Sequence, residues 1–390
     1  MHLLDRFGSI CGVKPSTPKI QESFYPLGVE KYITINHTPA TVSQKYDYMD
    51  DVTYELSTIL NKENIKILQI GDKSEHPQLP HCIDMRGVLN LKQMTYVIKR
   101  SLCHISPDSF CGDIANLTST PNIQIFGPTP PYFLSSKWVK DVTQVLTPEV
   151  SYVPSFQNDI GENKIINKIR PEKITESILN TLSLKNSSNA GKTVFVGNKY
   201  HNKLLEAIPN FAPHDSVFAQ CNVHLRLDYE FNEQYLINWA NNRKLILLSD
   251  QAIDVNLIRH IKPSILHIVY EVSDKTPPEH LTQIKNCGVP LHLFSKVADN
   301  KELQDLRLKF LDWPIEQIEP STKKNIDTSE KIDYSNLFYK SSKLLLSNEK
   351  EYPSKAAWLD NSPKINDDPC VIYDSADFWE EVEHFRLIQK

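Results

Sequence analysis

SLCHISPDSFCGDIANLTSTPNIQIFGPTPP, residues 101–131, is the stretch whose reading decides the fold. His104-Ile105-Ser106 runs into Pro107-Asp108-Ser109, which breaks the run where a strand should end. Residues 113–119 predict a short helix whose start faces that loop. A second strand is predicted over 122–126, and Gly127-Pro128-Thr129-Pro130-Pro131 makes a rigid turn after it. In an open parallel sheet, ligands sit beyond the carboxyl ends of the strands, so both loops belong on the binding edge. Asp108 and Ser109 offer an acceptor and a hydroxyl there, and the free amides of a helix start suit a phosphate. Gly127 permits close backbone approach, and the prolines hold the loop at little ordering cost.

These residues carry a resemblance to a known family. The stretch is similar to the nucleotide-sugar half of the heptosyltransferases, glycosyltransferase family 9, which have the GT-B fold. That family ends a strand with Asp-Ser/Thr-Gly-x-x-His, runs a helix of small residues, and follows with a strand and Gly-Pro-Thr-x-Pro. Here the matching pieces are Asp108-Ser109 and residues 127–131. Two positions depart: Phe110 stands where the family has Gly, and Asp113 where it has His. The second departure removes a donor expected near the donor diphosphate. The resemblance covers about residues 31–182.

Upstream, a buried strand is predicted over 32–36 from its β-branched run. The loop after it resembles the family's first donor loop, where a hydroxyl and a Lys face the diphosphate; Thr38 and Lys45 match. Taken alone, Lys45 reads as a solvated loop lysine. A helix follows over 50–61 and a strand over 65–71, then a loop in which Glu75 matches an acidic residue that contacts the ribose in the family. An amphipathic helix over 89–99 follows the turn at Arg86-Gly87, as the family's Gly-x-x-x-Leu helix does. The resemblance thus implies donor contacts at Thr38, Lys45, Glu75, Gly87, Asp108, Ser109, Gly127, Pro128 and Thr129. A loop is predicted over 132–138, a short strand over 150–154 and a helix over 174–182.

Residues 185–191 form a polar linker. Beyond it, strands are predicted over 193–197, 223–228, 245–249, 265–272 and 290–295, with helices between them. That alternation means a second parallel sheet with helical crossovers. Without Gly-x-Gly-x-x-Gly it is not a dinucleotide site. Residues 319–331 read as a charged spacer. Residues 332–390 are too rich in aromatics for disorder and predict a tail that packs back on a domain, ending in a helix over 375–387. The expected fold is therefore α/β: two Rossmann-like parallel-sheet domains in a GT-B-like pair, the donor-type domain first, and an aromatic C-terminal tail. Expected bounds are an arm over 1–30, domains over 31–185 and 191–318, and the tail over 319–390.

Composition sets outer limits. The 390 residues suffice for two or three cores. A net charge of −5 advertises no global attraction to nucleic acid or an anionic surface. No apolar run is long enough to span a bilayer, and no signal peptide is read at the start. Seven scattered cysteines without a Cys-x-x-Cys pair favour a reducing, cytoplasmic setting over a disulfide framework or zinc. No Asp-x-Asp motif occurs, so neither metal nor other cofactor is implied, and the nucleotide-sugar enters as substrate.

Inverting transfer needs a base for the acceptor proton and positive charge for the departing diphosphate. By position, Asp228 and Asp250, each at a strand end, are the catalytic candidates. Their plainer reading is that they cap the turns after their strands. His37, His104, His224 and His292 read as packed polar residues. The expected activity is metal-independent transfer from a nucleotide-sugar to a glycan acceptor, with modified DNA as a variant acceptor. The rival is a non-catalytic binding or structural protein that retains a degenerate form of the fold.

Overall fold

The computed structural model describes all residues except 1, 39–40, 74–77, 136, 149–163, 186–190, 215–220, 242, 320–322, 324–325, 327–332 and 367. The chain divides into two compact units, residues 1–193 and 194–390.

The first unit opens with helix α1 (Leu3–Ile10) and an extended arm. It then builds one sheet from β1 (Tyr32–Asn36), β2 (Lys66–Ile70), β3 (Ile83–Asp84), β4 (His104–Pro107), β5 (Asn122–Ile125) and β6 (Thr143–Leu146). Every pairing is parallel and the order is β3-β2-β1-β4-β5-β6. The reversal between β1 and β4 is the topological switch point where such sheets bind ligands. Helices α2 (Met49–Leu60), α3 (Leu91–Lys99), α4 (Phe110–Leu117), the single turn α5 (Pro131–Leu134) and α6 (Pro171–Thr181) supply the crossovers and flanks. Strands β1, β4 and β5 are buried along their whole length, the polar His104, Ser106, Asn122 and Gln124 included. α3 is held at its start by a reciprocal cap between Asn90 and Gln93.

Two expectations change here. Residues 131–134 are helical where a loop was predicted, because Pro131 is pre-set for the first helical position. The sixth strand is Thr143–Leu146, whereas the strand predicted over 150–154 lies outside the described residues.

The second unit takes in most of β7 (Lys192–Val196), then β8 (Leu204–Ala207), β9 (Asn222–Arg226), α7 (Glu233–Ala240), β10 (Lys244–Ser249) and α8 (Val255–Ile261). It continues with β11 (Ile265–Glu271), α9 (Pro278–Asn286), β12 (Leu291–Ser295), α10 (Asn300–Lys309) and β13 (Ile315–Gln317). Strands β8 to β13 lie in chain order, all parallel, so right-handed crossovers put their helices on one face. Val223, Leu225, Leu247, Ile268 and Leu293 form the core with those helices.

The aromatic tail is woven into this unit. It comprises β14 (Leu337–Ser341), β15 (Lys343–Ser347), β16 (Lys350–Tyr352), α11 (Lys355–Leu359), β17 (Cys370–Val371), α12 (Ala376–Glu380) and β18 (Phe385–Gln389). β15 pairs in parallel with β8 and carries β16 as an antiparallel edge. β14, β17, β18 and β7 make a separate four-stranded sheet. The strand predicted over 193–197 therefore exists but joins the tail and not the parallel sheet. The helix predicted over 375–387 is a correction: it stops at Glu380, and Phe385–Gln389 is a strand paired with β14.

Candidate functional site

The loops that follow β1, β4 and β5 converge at the switch point of the first sheet. After β1, the chain passes Thr38, which is half-buried, and turns through a short 3-10 turn at Val42–Gln44 before Lys45. His37 Nε2 donates to the Tyr46 carbonyl at 2.6 Å, and the Tyr46 hydroxyl donates to the Ile169 carbonyl at 2.7 Å. Lys164 reaches both oxygens of Asp47 at 2.7 Å, and Asn167 Nδ2 reaches it at 2.8 Å. The loop is thus pinned to residues 164–169. Lys45, half-buried, has no ion-pair partner among the described residues.

Gln44 ties the three loops together. It is 5 % exposed, and its Nε2 donates to Asp108 Oδ2 at 3.3 Å and to Thr129 Oγ1 at 3.2 Å. Its Oε1 is buried and has no hydrogen-bond partner among the described residues. Nothing in the sequence singled Gln44 out, because a loop glutamine beside a lysine reads as solvated.

Ser109 stands at the N-cap of α4 in extended backbone, yet its side chain makes no capping bond. Its Oγ is buried and has no hydrogen-bond partner among the described residues. Hydroxyls at this position ordinarily accept from the first turn of the helix; here the turn closes on the Ser109 carbonyl instead, which accepts from the Gly112 amide at 3.0 Å. Asp108 is pushed up to about 6, first by burial and then by the Asp113 carboxylate, while the Gln44 amide partly offsets this. Phe110, next along, is 55 % exposed.

Gly127, Pro128 and Thr129 are buried. A Cβ on Gly127 would stand 2.8 Å from Ile166 Cβ and 3.4 Å from the Ser43 carbonyl. Close approach is therefore what this glycine serves, but to the chain's own residues 43 and 166. On the other side, Gly71 has φ +124°, and a Cβ there would meet Asn36 Nδ2 at 2.6 Å and Thr38 Oγ1 at 3.1 Å. Gly87 (φ +67°) donates its amide to the Gly71 carbonyl at 2.8 Å, continuing the parallel pairing of β2 with β3. Glu75 lies outside the described residues. The structure thus gathers Thr129, Asp108 and Ser109 with Gln44, and ties Gly87 to Gly71, which packs beside Thr38.

His104, at the start of β4, is fully buried and its Nδ1 lies 2.9 Å from Thr34 Oγ1. Burial pushes it down to about 3, so it is a neutral core residue.

In the second unit, Asp228 is held by Arg226 through two contacts, Nε–Oδ1 at 2.8 Å and Nη2–Oδ2 at 2.6 Å. Arg226 also pairs with buried Glu206 at 3.1 Å and stacks over Tyr229. Asp250 is exposed at the end of β10 and is not the cap of the following helix, a role taken by Asp254. Among the described residues no group of three or more His, Cys, Asp or Glu is placed to hold a metal ion.

With this geometry in hand, comparison with known proteins adds a likeness over part of the chain. Residues 14–165 match glycosyltransferase family 9 (heptosyltransferase). The match spans β1 to β6, including Lys45, the Asp108-Ser109 pair and the loop at 127–131. No curated protein matches. Among solved structures the chain is similar to the dodecameric iron-containing heptosyltransferase TibC in complex with ADP-D-beta-D-heptose. The identity is 16%, over 45% of this chain and 52% of that one, with a TM-score of 0.37. A family 9 glycosyltransferase from Veillonella parvula gives 18%, over 40% and 46%, with a TM-score of 0.33. E. coli heptosyltransferase WaaC with ADP gives 14%, over 45% and 54%, with a TM-score of 0.32. The chain spans about half the length of these structures.

Proposed function

We propose that the protein is a glycosyltransferase that moves a sugar from a nucleotide-sugar donor to a glycan acceptor. The observation that carries this reading is the start of α4, where the Ser109 hydroxyl and a first turn without a side-chain cap meet at the sheet's switch point. A diphosphate seated there would accept from the helix amides and from Ser109, with Lys45 supplying mobile positive charge. Thr38 and Thr129 would line the same donor, Asp108 would accept from a sugar hydroxyl, and Glu75 and Gly87 would lie on its ribose side. Gly127 and Pro128 would keep the Thr129 loop in place.

In this reading, transfer needs no metal, because amide dipoles and Lys45 meet the charge of the departing diphosphate. A carboxylate takes the acceptor hydroxyl's proton as its oxygen attacks the anomeric carbon. Asp250, the exposed one of the two candidates, is our choice for that base; Asp228 is occupied in holding Arg226. A cell-surface glycan is the acceptor we favour over modified DNA, in a cytoplasmic setting. Titration calorimetry with ADP-, UDP- and GDP-sugars tests the donor site: heat with at least one is expected, and none with any would refute it.

One observation favours a second reading, a binding protein without turnover: Asp113 places a carboxylate, not a cation, one turn into α4. Incubation with donor and candidate acceptors separates the two. Release of free nucleoside diphosphate that disappears in Asp250→Asn supports transfer, whereas donor that binds and stays intact supports the second reading.

A further inference from the structure

Helix α1 leaves most of its large apolar side chains exposed. His2 and Asp5 hold it to the first unit: His2 caps the Leu4 amide and donates from Nε2 to the Ser135 carbonyl at 3.0 Å, and Asp5 pairs with Lys137. Its large apolar side chains face out, with Leu4 43 %, Phe7 55 % and Ile10 73 % exposed, and Val13 61 % exposed just beyond. The i, i+3 spacing puts Leu4, Phe7 and Ile10 along one side of the helix, with Val13 past its end. A surface helix ordinarily turns such a stripe inward, and a contiguous exposed one marks an interaction surface.

Charge and area say what covers it. In residues 2–21 the one acid is Asp5, already paired with Lys137, while Arg6, Lys14 and Lys19 are exposed. The segment is therefore basic in a chain whose net charge is −5. An eight-residue helix is only about 12 Å long, and a stable dimer needs about 800 Å² from each partner. Four side chains fall well short of that. A narrow apolar stripe beside cations is, however, what an interfacial helix on anionic lipid requires. We propose that α1 seats the protein on an anionic membrane surface, with Leu4, Phe7, Ile10 and Val13 among the headgroups and Arg6, Lys14 and Lys19 against lipid phosphates. No helix is long and apolar enough to cross a membrane, so this is attachment in the plane of the interface.

The test is co-sedimentation of the full chain with vesicles of phosphatidylcholine alone and of phosphatidylcholine mixed with phosphatidylglycerol. The protein should pellet with the mixed vesicles and less so at high salt. Phe7→Glu/Ile10→Glu should lower that partition at least about tenfold, and Arg6→Ala/Lys14→Ala/Lys19→Ala should lower it on mixed vesicles only. These positions are exposed, so circular dichroism and melting should not change. Absence of pelleting, pelleting equal for wild type and the double variant, or a concentration-dependent dimer that the double variant abolishes would each overturn the proposal. No donor is present in this assay, so its failure leaves the donor site untouched.

Discussion

Asp108→Asn separates what the site demands from what folding prefers. Burial and the neighbouring Asp113 raise the Asp108 carboxyl from 3.8 to about 6. An acid raised on folding costs stability once it ionises: the cost is absent below about pH 4, grows as pH rises through about 6, and is constant above that. Two units at about 1.4 kcal/mol each put the cost near 3 kcal/mol. Asparagine keeps an oxygen that can accept from Gln44 but carries no charge. Asp108→Asn should therefore gain about 3 kcal/mol in urea unfolding at pH 7.5 and nothing near pH 4, while losing affinity for the donor. Equal midpoints at pH 7.5, or a gain of the same size at both pH values, would refute the reasoning.

Gln44→Ala leaves the Asp108 and Thr129 oxygens without their shared donor; a loss of about 1–3 kcal/mol in unfolding free energy and weaker donor heat in calorimetry are expected. Gly127→Ala would bring a methyl to 2.8 Å from Ile166 Cβ, so urea unfolding should show a loss of about 1–3 kcal/mol. Lys343→Met removes the ion pair of Glu381 at 2.6 Å and leaves buried Glu206, contacted by Lys343 at 3.2 Å, with Arg226 alone, and should cost about 3–5 kcal/mol, read as a fall in melting temperature. In the wild type, Lys343 and Arg226 overcome burial and hold Glu206 at about 2. Its share of stability is present above about pH 4.5 and should fade in acid unfolding as pH drops toward 2.

The first sheet was legible because β1 and β2 are rich in isoleucine and leucine, β4 and β5 are closed by the turn residues 107–109 and 127–131, and the motif residues fall at those carboxyl ends. β8 was not: Leu204-Leu-Glu-Ala207 is made of good helix formers, and only pairing with β9 and β15 makes it a strand. The predicted last helix failed because Phe378, Val382 and Phe385 repeat at helical spacing, although the register of β18 with β14 decides the conformation of its end. Gln44 escaped notice for a different reason. Its importance comes from loops after three strands, far apart in sequence, closing on one amide, and no local pattern records that.

The two departures from the family motif have unequal consequences. Phe110 replaces a glycine, but its ring is largely exposed, so the helix start keeps its backbone without being filled by a side chain. Asp113 is a different matter, because an acid in the first turn satisfies the helix dipole that an anionic ligand would otherwise use. It also raises Asp108, so the site holds two carboxyls where the proposed donor brings negative charge. Lys45 stands on the loop after β1 without an ion-pair partner among the described residues. The proposed donor site therefore depends on this lysine and the Ser109 hydroxyl more heavily than a site with a histidine at position 113 would.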